Sequence, residues 1–292
     1  AGGRLDFAHP SDDLARTVRA LDFGGYWNPV ARPRFTAGGR AFFVGTAEAI
    51  AGTDKATPGR VLDTAGGRLV IATQDGAIAL SSLTDAAARP VHPQDIAEAG
   101  QVLPSPSPDD ADRLRALAAE LAGHQDRWRD RLAGMTPVNV PLAGEATHTP
   151  DWAETTLHLP RGSDRDARIA LLALWALQGA GQVAADVAMA HAALSERAAA
   201  SPDQLTPWVP LRADTTGCAT FGELRAAIAA GLAETGGTQG FALDLPSRDP
   251  ALDPAQIPGV AISEGGRPFA GPAIHAFLRG DGTCNLHLDR AR

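Results

Sequence analysis

At 292 residues, 44% of them apolar, the chain can bury an ample core, and one domain per roughly 150 residues predicts two. A net charge of −8 withholds the basic excess that phosphate backbones need: residues 1–100 carry 10 Lys and Arg against 11 Asp and Glu, and the other 192 carry 16 against 23. Two cysteines, Cys218 and Cys284, are too few for a disulfide framework and lack metal-ligand spacing, so reduced thiols in a cytoplasmic setting are expected.

The chain opens Ala1-Gly2-Gly3 without an initiator Met or signal peptide and stops at Arg292 just after a strand-like run, as an excised piece of a longer protein would. Ser11 is a good N-cap, Asp12 and Asp13 suit the first turn, and Leu14, Val18 and Leu21 form the apolar stripe of a short helix ending near Asp22. Short β-like runs follow at 41–44, 60–63, 68–73 and 77–83, with tight turns at Gly66-Gly67 and Asp75-Gly76. Several short strands beside one helix predict a small closed barrel.

The order of these signals carries a resemblance. Thr17-Val18-Arg19-Ala20-Leu21, then residues 26–29, then Pro58-Gly59-Arg60-Val61-Leu62, a strand, Asp75-Gly76 and a strand resembles the C-terminal subdomain of formyltransferases of the methionyl-tRNA formyltransferase type, over roughly residues 10–97. The resemblance implies an OB-like barrel of the kind that helps hold tRNA, while the family's catalytic Asn, His and Asp lie in an N-terminal domain that this segment lacks. Arg32, Arg34, Arg40, Phe42 and Phe43 are the nearest thing to a basic groove with aromatics, but both phenylalanines read as strand core, so nucleic-acid binding is not expected.

Pro104, Pro106 and Pro108, interleaved with serines, mark an extended linker. Ser107 caps the next helix, Pro108 takes its first position, and Asp109 and Asp110 make its first turn acidic. Leu114, Leu117, Leu121, Trp128 and Leu132 continue at three- and four-residue spacings to Gly134, predicting one long helix, weakened at Gly123, with one stripe packed on a second domain.

Beyond the linker, Ser163-Asp164 caps a helix running to Gln178 whose face is apolar nearly all round, predicting burial. The longest apolar stretch, 169–190, is broken by Gln178, Gln182 and Asp186 and is no membrane span. Gly179-Ala180-Gly181 mimics a nucleotide-binding fingerprint, but a helix precedes it and a strand, 183–189, follows, so it reads as a turn. A strand at 208–214 leads to Thr220-Phe221-Gly222-Glu223, a capping box opening a helix with Leu224, Ala227, Ile228 and Leu232 on one face and Gly236-Gly237 at its end. Residues 273–278, the turn Gly280-Asp281-Gly282 and residues 284–288 predict a β-hairpin.

This half carries a second resemblance. Arg127-Trp128-Arg129-Asp130-Arg131-Leu132-Ala133-Gly134 resembles the helix that opens the second lobe of condensation domains of nonribosomal peptide synthetases. Gly181-Gln182, Pro210-Leu211-Arg212-Ala213-Asp214 and Thr220-Phe221-Gly222-Glu223-Leu224 follow in that family's order, over about residues 124–292. The family's His-His-x-x-x-Asp-Gly motif belongs to the first lobe, and no His-His pair occurs here. Pro207-Trp208-Val209 stands in a shortened form where the family has Phe-Val-Asn, and the His-Gln-Asp run after the capped helix is missing.

Catalytic sites find no support in the residue pattern. His275 to Asp281-Gly282 imitates the condensation motif, but with five intervening residues instead of three. His124, His148, His158, His191 and His287 have no Ser, Cys or carboxylate at a telling spacing, and Cys284 and His287, three apart on a strand, point to opposite faces. The expected fold is therefore α+β: an OB-like barrel with a helix (1–100), a Pro/Ser linker and helix (101–123), and an α/β sandwich lobe of the condensation, chloramphenicol acetyltransferase-like, fold (124–292). No catalytic, cofactor or metal residues are assigned. The resemblances imply a noncatalytic platform in a nonribosomal peptide synthetase, contacting an adjacent adenylation or carrier domain of the same polypeptide through an apolar patch near the C-terminal hairpin. The alternatives are a part of an N-formylating or condensing module whose catalytic half lies elsewhere, a binder of a small acyl or peptidyl group, and a homodimer that completes the half-fold.

Overall fold

The computed structural model describes residues 2–51, 56–145, 150–236 and 239–292; Lys55, His148 and Gly237 lie outside the described residues. The fold is mixed α and β, in two compact units. The first comprises 1–129, 201–204 and 242–255, the second 130–200, 205–241 and 256–292.

In the first unit, helix α1 (Ser11–Ala20) buries Leu14, Ala15 and Val18. Ser11 is not its cap. Pro10 holds that position, Ser11 begins the helix, and the Ser11 N–H is taken at 2.9 Å by the Asp75 carboxylate, 64 residues away. Strands β1 (Arg34–Ala37) and β2 (Arg40–Phe43) pair across Gly38-Gly39, whose positive φ values of 55° and 74° suit a two-residue hairpin turn. Strands β3 (Thr46–Ala51), β4 (Val61–Asp63), β5 (Leu69–Ala72) and β6 (Gly76–Ser81) form an antiparallel sheet in the order β3-β6-β5-β4. The runs expected at 41–44, 60–63, 68–73 and 77–83 are β2, β4, β5 and β6; β1 and the Ala-rich β3 are strands without a strand signal in the sequence.

The strands do not close into a barrel. The hairpin and the four-stranded sheet stay separate, and β4 has only three residues with a register shift between Val61 and Asp63. Helix α1 packs on β3 and β6. The core contains Phe7, Phe35, Phe42, Leu69, Ile71, Ile78 and Leu80 together with the buried face of α1.

The long helix expected after the linker is two: α2 (Pro108–Ala122) and α3 (Gln125–Ala133). Ser107 caps α2 as expected, accepting from the Asp110 N–H at 3.1 Å. Gly123 closes α2 and the His124 carbonyl starts α3 by accepting from Trp128. Leu114, Leu117, Leu121, Trp128 and Leu132 are all buried; the first four belong to the first unit and Leu132 to the second.

The first unit also takes in two distant segments, of which sequence patterns give no sign. Arg34, 4% exposed, meets Asp203 at 3.7 Å and Asp244 at 3.4 Å. Asp244 accepts the Arg32 N–H at 2.8 Å and holds Arg248 at 3.1 Å. Residues 245–248 form a short helix, and Arg248 donates to the Asn28 carbonyl at 3.2 Å. Arg129 binds Asp249 at 2.6 Å and lies 4.1 Å from the ring centre of Trp27.

The second unit is a six-stranded mixed sheet with the order β7-β12-β11-β10-β8-β9, built from β7 (Trp152–His158), β8 (Ala184–Ala190), β9 (Val209–Asp214), β10 (Val260–Ser263), β11 (Ile274–Leu278) and β12 (Thr283–Asp289). Strands β8, β10 and β11 run parallel, and their apolar runs match a central position. Helix α4 (Arg165–Ala180) is capped by Asp164 and ends at Gly181 with φ 66°, so Gly179 and Ala180 of the GxGxxA lookalike are its last residues and only Gly181 turns. It is not buried all round: Trp175 remains 40% exposed. Helix α5 (Ala192–Ala200) has no counterpart among the sequence expectations. Helix α6 (Phe221–Thr235) has the expected capping box, with the Thr220 hydroxyl accepting from the Glu223 N–H and the Glu223 carboxylate accepting from the Thr220 N–H at 2.9 Å. Asp186, fully buried in the apolar β8, binds Arg131 at 2.6 Å, Arg212 at 3.2 Å and the Thr136 N–H at 2.8 Å.

Candidate functional site

The C-terminal hairpin forms as predicted, with β11 and β12 antiparallel and Cys284 opposite Leu278. Its register settles which side chains share a face. Leu288 stands opposite Ile274 on one side and Ala153 on the other; Leu286 stands between Ala276 and Thr155, and Cys284 between Leu278 and Leu157. Through Ile262 opposite Ala276, Met189 opposite Ile262 and Val209 opposite Met189, this face continues to Leu211, against which Gly231 of α6 packs closely. Helix α4 covers the sheet at β8, β9 and β10, and α6 packs on β9 and α4.

The apolar face continues onto β11, β12 and the edge strand β7, with Ala276 and Cys284 buried and its rim partly open. Leu157 and Leu288 are 37% and 38% exposed, and Ile274, Leu278 and Leu286 are partly exposed beside them. β7 has β12 on one side and no strand on the other among the described residues. Period-two alternation in β12 could have shown this face, but without the register nothing in the sequence says which strands continue it.

The other face of the hairpin holds the histidine that imitates a catalytic motif. His275 is buried among Trp152, Phe269 and Phe277, and its Nε2–H donates to the Phe269 carbonyl at 3.1 Å. Desolvation lowers its pKa from 6.5 to about 3, a histidine held neutral in the core. Asp281 accepts from the Thr283 backbone and hydroxyl and makes no contact with His275. Cys284 is fully buried, and burial raises its thiol to about 11, so it carries little thiolate at neutral pH.

His191 has partners that its sequence neighbourhood does not reveal. It follows β8, and Glu264 follows the adjacent parallel β10, so residues 73 apart meet at the carboxyl ends of neighbouring strands. Its Nδ1 lies 3.2 Å from Glu264 and 3.4 Å from Arg165. The Thr235 hydroxyl donates to the Leu232 carbonyl, which leaves its oxygen to accept from His191 Nε2–H at 3.2 Å. Arg165 clamps Glu264 through Nε and, at 2.9 Å, Nη2. Burial works to raise the Glu264 pKa, but the contacts with His191 and Arg165 outweigh it and hold the carboxyl at about 2. Both ring nitrogens of His191 are occupied and the ring is buried, an arrangement that braces strand ends and leaves no base facing solvent.

The remaining candidates stand apart. His124 lies at the break between α2 and α3, His158 ends β7 exposed, and His287 packs edge-on against Phe277. Phe42 and Phe43 are buried, with Arg40 and Arg32 over their rings, and cannot stack on bases. No group of three His, Cys, Asp or Glu suited to a metal ion occurs among the described residues. No helix among them is long and apolar enough to cross a membrane.

The family model for the formyl transferase C-terminal domain matches residues 1–100. No curated protein matches the chain. Among solved structures, the starter condensation domain of rhizomide synthetase RzmA, as a double mutant in complex with C8-CoA and Leu-SNAC, is 12% identical with a TM-score of 0.45 over 61% of this chain and 48% of its own. The same double mutant with C8-CoA alone gives 12% and 0.46 over 62% and 49%. A structure described as CT gives 12% and 0.40 over 76% and 60%. The chain spans about half the length of the condensation-domain structures it matches. The first hundred residues are thus similar to the C-terminal domain of formyl transferases, and condensation domains stand among the structural neighbours of the chain.

Proposed function

We propose that this chain is a noncatalytic interaction didomain of a multidomain biosynthetic enzyme of the nonribosomal peptide synthetase kind, a platform for a neighbouring adenylation or carrier domain in the cytoplasm. The observation that carries the reading is the apolar face of β7, β12 and β11, where Cys284 and Ala276 are buried but Leu157 and Leu288 are open to solvent. A surface of this kind favours a partner, because burying apolar area is worth roughly 25 cal/mol per Å2. The neutral His275, the protonated Cys284 and the fully engaged His191 are consistent with a role without chemistry.

Light scattering during gel filtration tests it, on the chain alone and mixed with an adenylation or carrier domain of the same parent polypeptide. A 1:1 complex that is lost in the double variant Leu157→Glu, Leu288→Glu supports the platform. A chain that binds neither domain overturns it, and a dimer abolished by the same variant would assign the face to a second copy.

The match of residues 1–100 to the formyl transferase C-terminal domain favours a second reading, part of an N-formylating module. Formyl transfer from a formyl-folate to an amine by the intact parent polypeptide would establish it.

A further inference from the structure

We infer that the second unit binds a phosphate group in the cavity beside Glu264, independently of the platform role. The cavity, about 230 Å3, opens where β10 and β11 end. Arg267, Arg279 and His287 line it together with Glu264, Phe277 and Leu278. Its charge balance is what points to an anion. Arg165 already neutralises Glu264, the one carboxylate in the lining. Arg267 and Arg279 are exposed and have no ion-pair partner among the described residues. The nearest acid acting on Arg279 is Asp281, whose carboxylate is occupied by the Thr283 N–H and hydroxyl at 2.9 and 2.7 Å.

Two guanidinium groups without counter-ions on one concave wall make a site for a doubly charged oxyanion, since each presents a planar fork of N–H donors. The carboxyl ends of parallel strands are also where open α/β sheets place their ligands. Phe277 and Leu278 form an apolar wall next to the cations, which suits the organic part of a phosphate monoester better than free phosphate. The negative overall charge of the chain does not oppose this, because at ordinary ionic strength the field is set by groups within about 8 Å.

Isothermal titration of the whole chain with inorganic phosphate and with phenyl phosphate tests the site. Saturable 1:1 binding of phenyl phosphate is expected, weakened about tenfold or more by Arg267→Gln and by Arg279→Gln, less by Arg279→Lys, and not by the distant control Arg68→Gln. Tighter binding of phenyl phosphate than of phosphate identifies an organic monoester as the ligand class; equal binding identifies free phosphate. Absence of saturable heat with either probe, or equal weakening by Arg68→Gln, overturns the proposal. Both arginines are exposed, so the variants should fold, and circular dichroism of each variant confirms that a loss of binding is local.

Discussion

Asp244 and Asp186 show how single acidic residues organise an otherwise apolar interior. Each is buried, each meets two arginines, and each also accepts a backbone N–H. Removing one partner of such a group leaves buried charge uncompensated, so Asp244→Ala should cost about 3–5 kcal/mol. Urea unfolding of the whole chain measures it, and a cost below about 1 kcal/mol would mean that water reaches Arg34 and Arg248. His275 makes stability depend on pH. In the unfolded chain it takes up its proton below pH 6.5, but in the native protein only near 3. The unfolded state binds more protons throughout that window, so stability is full above 6.5 and falls as the pH drops, by about 1.4 kcal/mol per pH unit. The Glu264 contribution adds to this only below its ordinary value of 4.5, towards about 2. His275→Phe should therefore flatten the stability profile between pH 6.5 and 4.5, and urea midpoints at pH 7, 5.5 and 4.5 read this directly. The two thiols should also separate. Iodoacetamide at pH 8 should label the partly exposed Cys218 in the native protein and leave Cys284 unmodified until the chain unfolds.

At the scale of elements, what is legible in the sequence is local. The N-cap at Ser107, the capping box at Thr220 and the hairpin from β11 to β12 follow from a few adjacent residues each, and each forms as read. The misses have distant causes. Ser11 looks like a cap, but the capping oxygen comes from Asp75; the strand runs look like a closed barrel, but they form a hairpin and a separate four-stranded sheet; one long stripe looks like one helix, but it breaks after Gly123. The candidate site is legible only in part: an apolar patch near the hairpin is expected, yet its extent depends on register and helix cover, and the meeting of His191 with Glu264 depends on strand order. Two glycines separate local from tertiary demands on the elements. Gly181 has φ 66° and open space around it, so Gly181→Ala should cost only the left-handed backbone, about 1 kcal/mol. A Cβ on Gly259 would stand 2.9 Å from the Val138 carbonyl, so Gly259→Ala must displace backbone and should lower the melting temperature by more. Equal losses for the two would refute the distinction.

For the whole molecule, the division expected at 1–100, 101–123 and 124–292 stands as a proposal, and the composition of the first unit makes it testable. Residues 1–129 alone would keep Arg34 but lose Asp203, Asp244 and the Arg248 contact with Asn28. Such a fragment should melt well below the intact chain, and a Tm within a few degrees of it would show that the first hundred residues are self-sufficient. The composite arises because ion pairs between residues about 200 apart leave no trace in periodicity or composition, whereas each resemblance follows local order. The two borrowed segments also impose a sequence of events on synthesis. Residues 1–129 leave the ribosome well before 242–255 exist, and at 5–20 residues per second the delay is on the order of 10 s. During that interval Arg34 and its neighbours have no acidic partners, so the nascent first unit waits half-built on the ribosome, and its completion is timed by translation of the second.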